Sequence, residues 1–187
     1  MKKRLAIFDF DGTLYDTVPA NAAAYAAALA RCGVALDEKF FAERCNGRYY
    51  RDFLPELVGR DEALVRQVHE DKLACFADFY HLVRENRALF ALLETIRPVY
   101  SIALVSTASQ QGVEDILRRF GRLALFDLIL TQQDVARKKP APDGFLAAMA
   151  HFGADAADTI VFEDAPEGIE AARRAGVQCF AVPEILI

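Results

Sequence analysis

Residues 5–17 read LAIFDFDGTLYDT. An apolar run stops at Asp9, and a second carboxylate, Asp11, stands one residue later with Gly12 and Thr13 behind it. Leu5, Ala6, Ile7 and Phe8 are continuously apolar rather than alternating, so Lys3 to Phe10 reads as a strand buried on both faces. The acidic end of this strand has two readings. Asp-Gly after a strand is most often a plain turn. Two carboxylates where a buried strand stops can also hold a cation and attack an electrophile. A calcium loop of the EF-hand type fits poorly, because Gly12 is misplaced for it and Ala20 stands where a bidentate Glu is needed.

The rest of the chain bears on that choice. PANAAAYAAALARCG reads as a helix, with Pro19 suited to its first turn and Gly33 to the residue after its last. Asp37 and Asp61 can each cap a further helix. In 61–83, Leu64, Val68, Leu73, Phe76, Phe79 and Tyr80 recur at approximate helical spacing. From Asn86 the pattern changes to regular alternation: helix RALFALLETI, strand YSIALVS, helix GVEDILRRFG, strand FDLILT, helix PDGFLAAMAHFG, strand DTIVFED, helix PEGIEAARRAG and strand VQCFAV. Apolar strands alternating with helices imply a parallel sheet covered on both faces. The expected fold is α/β: a doubly wound, Rossmann-like core over 1–16 and 86–187, with an α-helical cap over 17–85 inserted after the first strand.

Composition agrees with this class. At 187 residues and 53% hydrophobic there is ample material for a core, and a disordered chain is excluded. The net charge of −5 argues against a nucleic-acid partner. Asp9 interrupts the N-terminal apolar stretch too early for a signal-peptide core, and no run approaches the roughly 18 apolar residues of a membrane span. Cys32, Cys45, Cys75 and Cys179 are widely spaced. They are expected to be small core residues in a reducing cytoplasm, without a zinc site or a disulfide framework. His69, His81 and His151 match no motif and are expected to be ordinary surface or partly buried histidines.

In an open parallel sheet, ligands bind outside the carboxyl ends of the strands. Here those ends carry Asp9 and Asp11, then Ser106 and Thr107, then Glu163 and Asp164, and the loop after FDLILT brings Lys138 and Lys139. Each has an ordinary reading: a turn, a cap for the next helix, a solvated lysine, an N-cap aspartate. Together, on one edge, they are better explained as a site.

FDFDGTLYDT, IALVS, KKPAP and VFEDAPEGIEAARRAG resemble, in order and spacing, the four motifs of the haloacid dehalogenase-like superfamily. The likeness is to its phosphatase and β-phosphoglucomutase branch with a helical cap. The resemblance implies that Asp9 is a nucleophile forming an aspartyl-phosphate and Asp11 the acid and base. It implies Mg2+ held by Asp9, the Asp11 backbone carbonyl and Asp164, with Glu163 in support. Lys139 would offset the crowded carboxylates, and Ser106 and Thr107 would cradle the phosphate. Arg48 and Arg51, in the recognition-loop stretch NGRYYRDF, would meet the substrate; a solvated helix start is the competing reading. Two departures stand out: Lys-Lys-Pro replaces the common Gly-Lys-Pro, and HLVRENRALF lacks the usual Pro-Gly return from the cap. The implied function is a cytoplasmic, monomeric, Mg2+-dependent phosphatase of a small phosphorylated metabolite, sugar phosphates first, with no nucleic-acid or membrane partner. A β-phosphoglucomutase-type mutase is the alternative, although Asn21 stands where those mutases carry a cap histidine. A non-catalytic binding protein is the other, and the intact set Asp9, Asp11, Lys139 and Asp164 weighs against it.

Overall fold

The computed structural model describes residues 4–46 and 48–183; Lys3 of the expected first strand and Gly47 of NGRYYRDF lie outside the described residues. Five parallel strands form the main sheet: β1 (Arg4–Phe8), β4 (Tyr100–Val105), β5 (Leu128–Leu130), β6 (Thr159–Glu163) and β7 (Gln178–Ala181), in the order β5-β4-β1-β6-β7. The fold is the expected doubly wound α/β core with an inserted helical unit. β2 (Tyr15–Asp16) and β3 (Arg84–Glu85) form a separate two-stranded sheet that periodicity does not indicate, since two residues carry no period. β1 ends at Phe8 rather than at Phe10. The Asp9 N–H still donates to Phe162 O at 3.0 Å, but Phe10 O already accepts from the Leu14 and Tyr15 N–H groups of a tight turn.

The chain falls into two compact units. One holds the described residues up to Asp16 and from Glu85 onward; the other is Thr17–Arg84. The second unit contains α1 (Val18–Ala30), α2 (Glu38–Arg44), α3 (Tyr50–Val58) and α4 (Glu62–Cys75). Asp37 caps α2 by accepting from Phe40 N–H, and Asp61 caps α4 by accepting from Ala63 and Leu64 N–H, as the sequence implies. After Cys75 the expected helix tightens into a 3-10 segment, Phe76–Leu82, a common ending for long helices. This unit has its own core, including Tyr25, Leu29, Phe41, Phe53, Leu54 and Val68.

In the first unit, α5 (Arg87–Ile96), α6 (Gln110–Arg119), α7 (Asp143–Phe152) and α8 (Pro166–Ala175) connect the strands. Leu5, Ile7, Ala103, Val105 and Val161 form one row-set of the sheet, packed with Phe145 and Ala148 of α7 and Ala171 and Ala172 of α8. Burying each large aliphatic or aromatic side chain here contributes about 1.5–3 kcal/mol. The cysteine expectation holds for buried Cys45 and fails for Cys32, which is exposed just after the end of α1. No helix among the described residues is long and apolar enough to cross a membrane.

Candidate active site

The sheet register builds the site. Phe8 lies level with Leu104 on one side and with Phe162 on the other. The next residue of each strand, Asp9, Val105 and Glu163, therefore sits side by side at the carboxyl edge. Side chains alternate along a strand, so Asp9 and Glu163 continue the rows of Ile7 and Val161 on the face covered by α7 and α8. From β1 the chain runs out through β4 and β5, then returns to β6 on the other side of β1. Asp9 thus stands at the switch in strand order, where such sheets open a crevice.

Lys139 bridges the three strand ends. Its Nζ donates to Asp9 Oδ1 at 2.5 Å, to Glu163 Oε1 at 2.6 Å and to Val105 O at 3.0 Å. The ordinary reading of Lys139 as a solvated charge is overturned: its side chain is 9% exposed. Burial alone would lower its ammonium, but Asp9 and Glu163 outweigh burial and hold it above the usual lysine value. Lys138 is exposed and donates to Gln132 Oε1 at 2.8 Å. Of the two lysines, Lys139 is the one seated on Asp9.

The carboxylates outnumber that one buried cation. Single oxygens of Asp9, Glu163 and Asp164 lie within 4.8 Å of one another. Burial pushes Asp9 well above the ordinary aspartate value; Lys139 opposes the push and Glu163 adds to it. Burial also raises Asp164, against a bond from Thr13 Oγ1 to its Oδ1 at 2.7 Å. An oxygen-only donor set with surplus negative charge suits a hard divalent cation. Both Glu163 oxygens are engaged, Oε1 by Lys139 and Oε2 by Ala165 N–H at 2.9 Å. Glu163 is thereby placed to hold the lysine.

Ser106 and Thr107 follow β4, and they line one pocket with Lys138 and Lys139. Ser106 is buried, and its Oγ accepts from Ala108 N–H at 3.0 Å, leaving the hydroxyl proton to be given elsewhere. The helix-cap reading of this stretch belongs to Ser109, which accepts from Gly112 N–H at the start of α6. Asp11 is half-buried and forms an isolated bridge with Tyr15 in the turn after β1.

Arg48 and Arg51 lie in the helical unit, just before α3 and in its first turn. Arg48 donates to Arg44 O, to Asp52 O and to Glu56 Oε1, which favours the reading of a solvated helix start for that residue. Arg51 Nε donates to Tyr50 OH at 3.0 Å, and Tyr50 stacks on His69 at 3.7 Å.

Sequence reasoning passed over Thr13 and Gly168. Gly168 sits in the first turn of α8, where a Cβ would lie 1.7 Å from Glu163 Oε1. Only a residue without a side chain lets α8 approach the carboxylate that holds Lys139. Gly168→Ala is expected to force Glu163 aside and cost about 1–3 kcal/mol by overpacking, read by urea denaturation. A variant as stable as the parent would refute that role.

Residues 6–182 match the family model for haloacid dehalogenase-like hydrolases. The chain is 31% identical over 180 residues to the validoxylamine A 7'-phosphate phosphatase of Streptomyces hygroscopicus subsp. limoneus, covering 94% of this chain and 84% of the relative. It is 30% identical over 179 residues to a phosphorylated carbohydrates phosphatase of Thermotoga maritima, covering 92% and 81%. Among solved structures, CbbY from Rhodobacter sphaeroides in complex with phosphate shares the fold, with a TM-score of 0.83 at 24% identity over 97% of this chain and 86% of that one.

Proposed function

Since the chain belongs to the haloacid dehalogenase-like hydrolase family, we propose that it is a Mg2+-dependent phosphatase of a small phosphorylated carbohydrate, working through an aspartyl-phosphate at Asp9. The observation that carries the proposal is the buried set Asp9, Lys139 and Glu163 at the strand switch, with Asp164 beside it. Relatives described as a phosphorylated carbohydrates phosphatase and a fructose-1-phosphate phosphatase support the substrate class.

Asp9, the Asp11 backbone carbonyl and Asp164 would hold Mg2+. Bound there, the ion would supply positive charge that offsets the repulsion of the phosphate dianion by the Asp9 carboxylate. Asp9 attacks phosphorus, the P–O bond to the sugar breaks, and Asp11 protonates the departing alkoxide. Asp11 then takes a proton from water as that water attacks phosphorus. The Asp9–phosphorus bond breaks and inorganic phosphate leaves. Lys139 and the Ser106 hydroxyl stabilise charge on the phosphoryl oxygens as it develops.

Hydrolysis is favoured over mutase chemistry by Asn21, twelve residues after Asp9. Its side-chain amide donates to Thr17 Oγ1 at 3.2 Å, and an amide has no titratable proton near neutral pH. With β-glucose 1-phosphate and a trace of the bisphosphate primer, free phosphate should form faster than glucose 6-phosphate, in a reaction lost on chelation and restored by Mg2+. Glucose 6-phosphate forming much faster than free phosphate would establish the mutase. Full activity after exhaustive chelation would remove the metal.

A further inference from the structure

We propose that Asn86 is a positioning residue that sets the orientation of the Asp164 carboxylate for its cation, acting through Thr13; this rests on the metal assignment above. Asn86 is the first residue after β3, in the stretch where the sequence lacks the family's usual return. Its backbone N–H and both polar ends of its side chain are engaged, two of them with the turn after β1 and one with α5. The N–H donates to Leu14 O at 2.9 Å, Nδ2 donates to Thr13 O at 3.0 Å, and Oδ1 accepts from Leu89 N–H at 3.1 Å to cap α5. Thr13 is fully buried and gives its hydroxyl proton to Asp164 Oδ1 at 2.7 Å. The other Asp164 oxygen closes over Gly12, where a Cβ would lie 2.0 Å from Oδ2 and where φ is +90°. The turn after β1 therefore holds one Asp164 oxygen by a hydrogen bond and leaves room for the other.

That turn fixes its own shape with short-range bonds: Gly12 N–H to Tyr15 O, and Leu14 and Tyr15 N–H to Phe10 O. None of these sets where the turn sits against β6. The two bonds from Asn86 tie consecutive carbonyls, Thr13 and Leu14, to the capped start of α5. Groups that orient a metal ligand typically change metal affinity about 10–100-fold when lost.

Asn86→Asp separates this role from helix capping. An aspartate keeps the acceptor that caps α5, at a helix start that favours negative charge. It replaces the donor to Thr13 O with an oxygen, which repels that carbonyl. Mg2+ binding would be measured by calorimetry without substrate, beside melting temperature with and without Mg2+. Asn86→Asp should melt within a few degrees of the parent when metal-free, yet bind Mg2+ about 10-fold or more weakly and gain less from added Mg2+. Thr13→Val, which removes only the hydroxyl, should weaken binding in the same way. Parent-like Mg2+ binding in either variant would overturn the inference alone. A parent protein that binds no Mg2+ would overturn the metal assignment, and the inference with it.

Discussion

Asp9→Asn is expected to lower turnover of any phosphate ester at least about 10⁴-fold, the scale of removing an activated nucleophile, while leaving the protein folded. The two halves of that expectation have different causes. The amide cannot form an acyl phosphate, so the covalent route closes. Its oxygen can still accept from Lys139, which also keeps its bonds to Glu163 and Val105. Burial already pushes the Asp9 carboxyl up, so a neutral group there relieves a cost, and the melting temperature should equal or exceed the parent's. Mass spectrometry of the parent trapped with substrate should place phosphate on Asp9 and nowhere else. Reproducible phosphate on another residue, or near-normal turnover by the variant, would sink the assignment.

Lys139→Met is expected to be the most damaging change for the fold and the site together. Methionine matches the stem but leaves Asp9 and Glu163 facing each other without a cation. Removing one partner of a buried pair typically costs about 3–5 kcal/mol, and loss of a charge-stabilising donor costs about 10²–10³ in kcat. The pH dependence distinguishes this from simple loss of packing. In the parent, Lys139 has a folded pKa above its unfolded value of about 10.4. Its contribution is complete below that value and is lost only as pH rises through the folded one. In the variant nothing opposes the push of burial and Glu163 on Asp9, whose folded pKa is already raised, so stability falls as pH rises from the unfolded aspartate value towards neutral. The deficit should shrink on acidification. A deficit independent of pH would refute the electrostatic account. Lys138→Met, at an exposed position, should leave stability near the parent's.

The main sheet is legible in the sequence because its strands are continuous apolar runs and its helices are punctuated by Pro, Gly and capping residues such as Asp37 and Asp61. Those are local signals with fixed periods. The residue types of the site are legible for the same reason, since Asp9, Ser106, Glu163 and Asp164 each come at the end of a readable strand. Thr13 and Gly168 are not, because their reason for being there is another segment's side chain. Thr13 meets Asp164 across 151 positions, and Gly168 is defined by the volume of Glu163. In the sequence Asn86 is only a departure from a motif, and the carbonyls it binds give it a role. Arg48 owes its expected role to its place in a recognition stretch, whereas local partners, above all Glu56, engage its guanidinium.

The central place of β1 also has a consequence for translation. Both sheet neighbours of this strand, β4 and β6, come from far downstream, beginning at Tyr100 and Thr159. At about 5–20 residues per second, an apolar strand leaves the ribosome several seconds before anything exists to pair with it. The helical segment next in the chain needs only its own nearby residues to close a core, so it can fold while β1 waits. A nascent chain stalled before Thr159 would carry a hydrophobic strand with an open edge, the kind of surface that holding chaperones bind and that aggregation exploits.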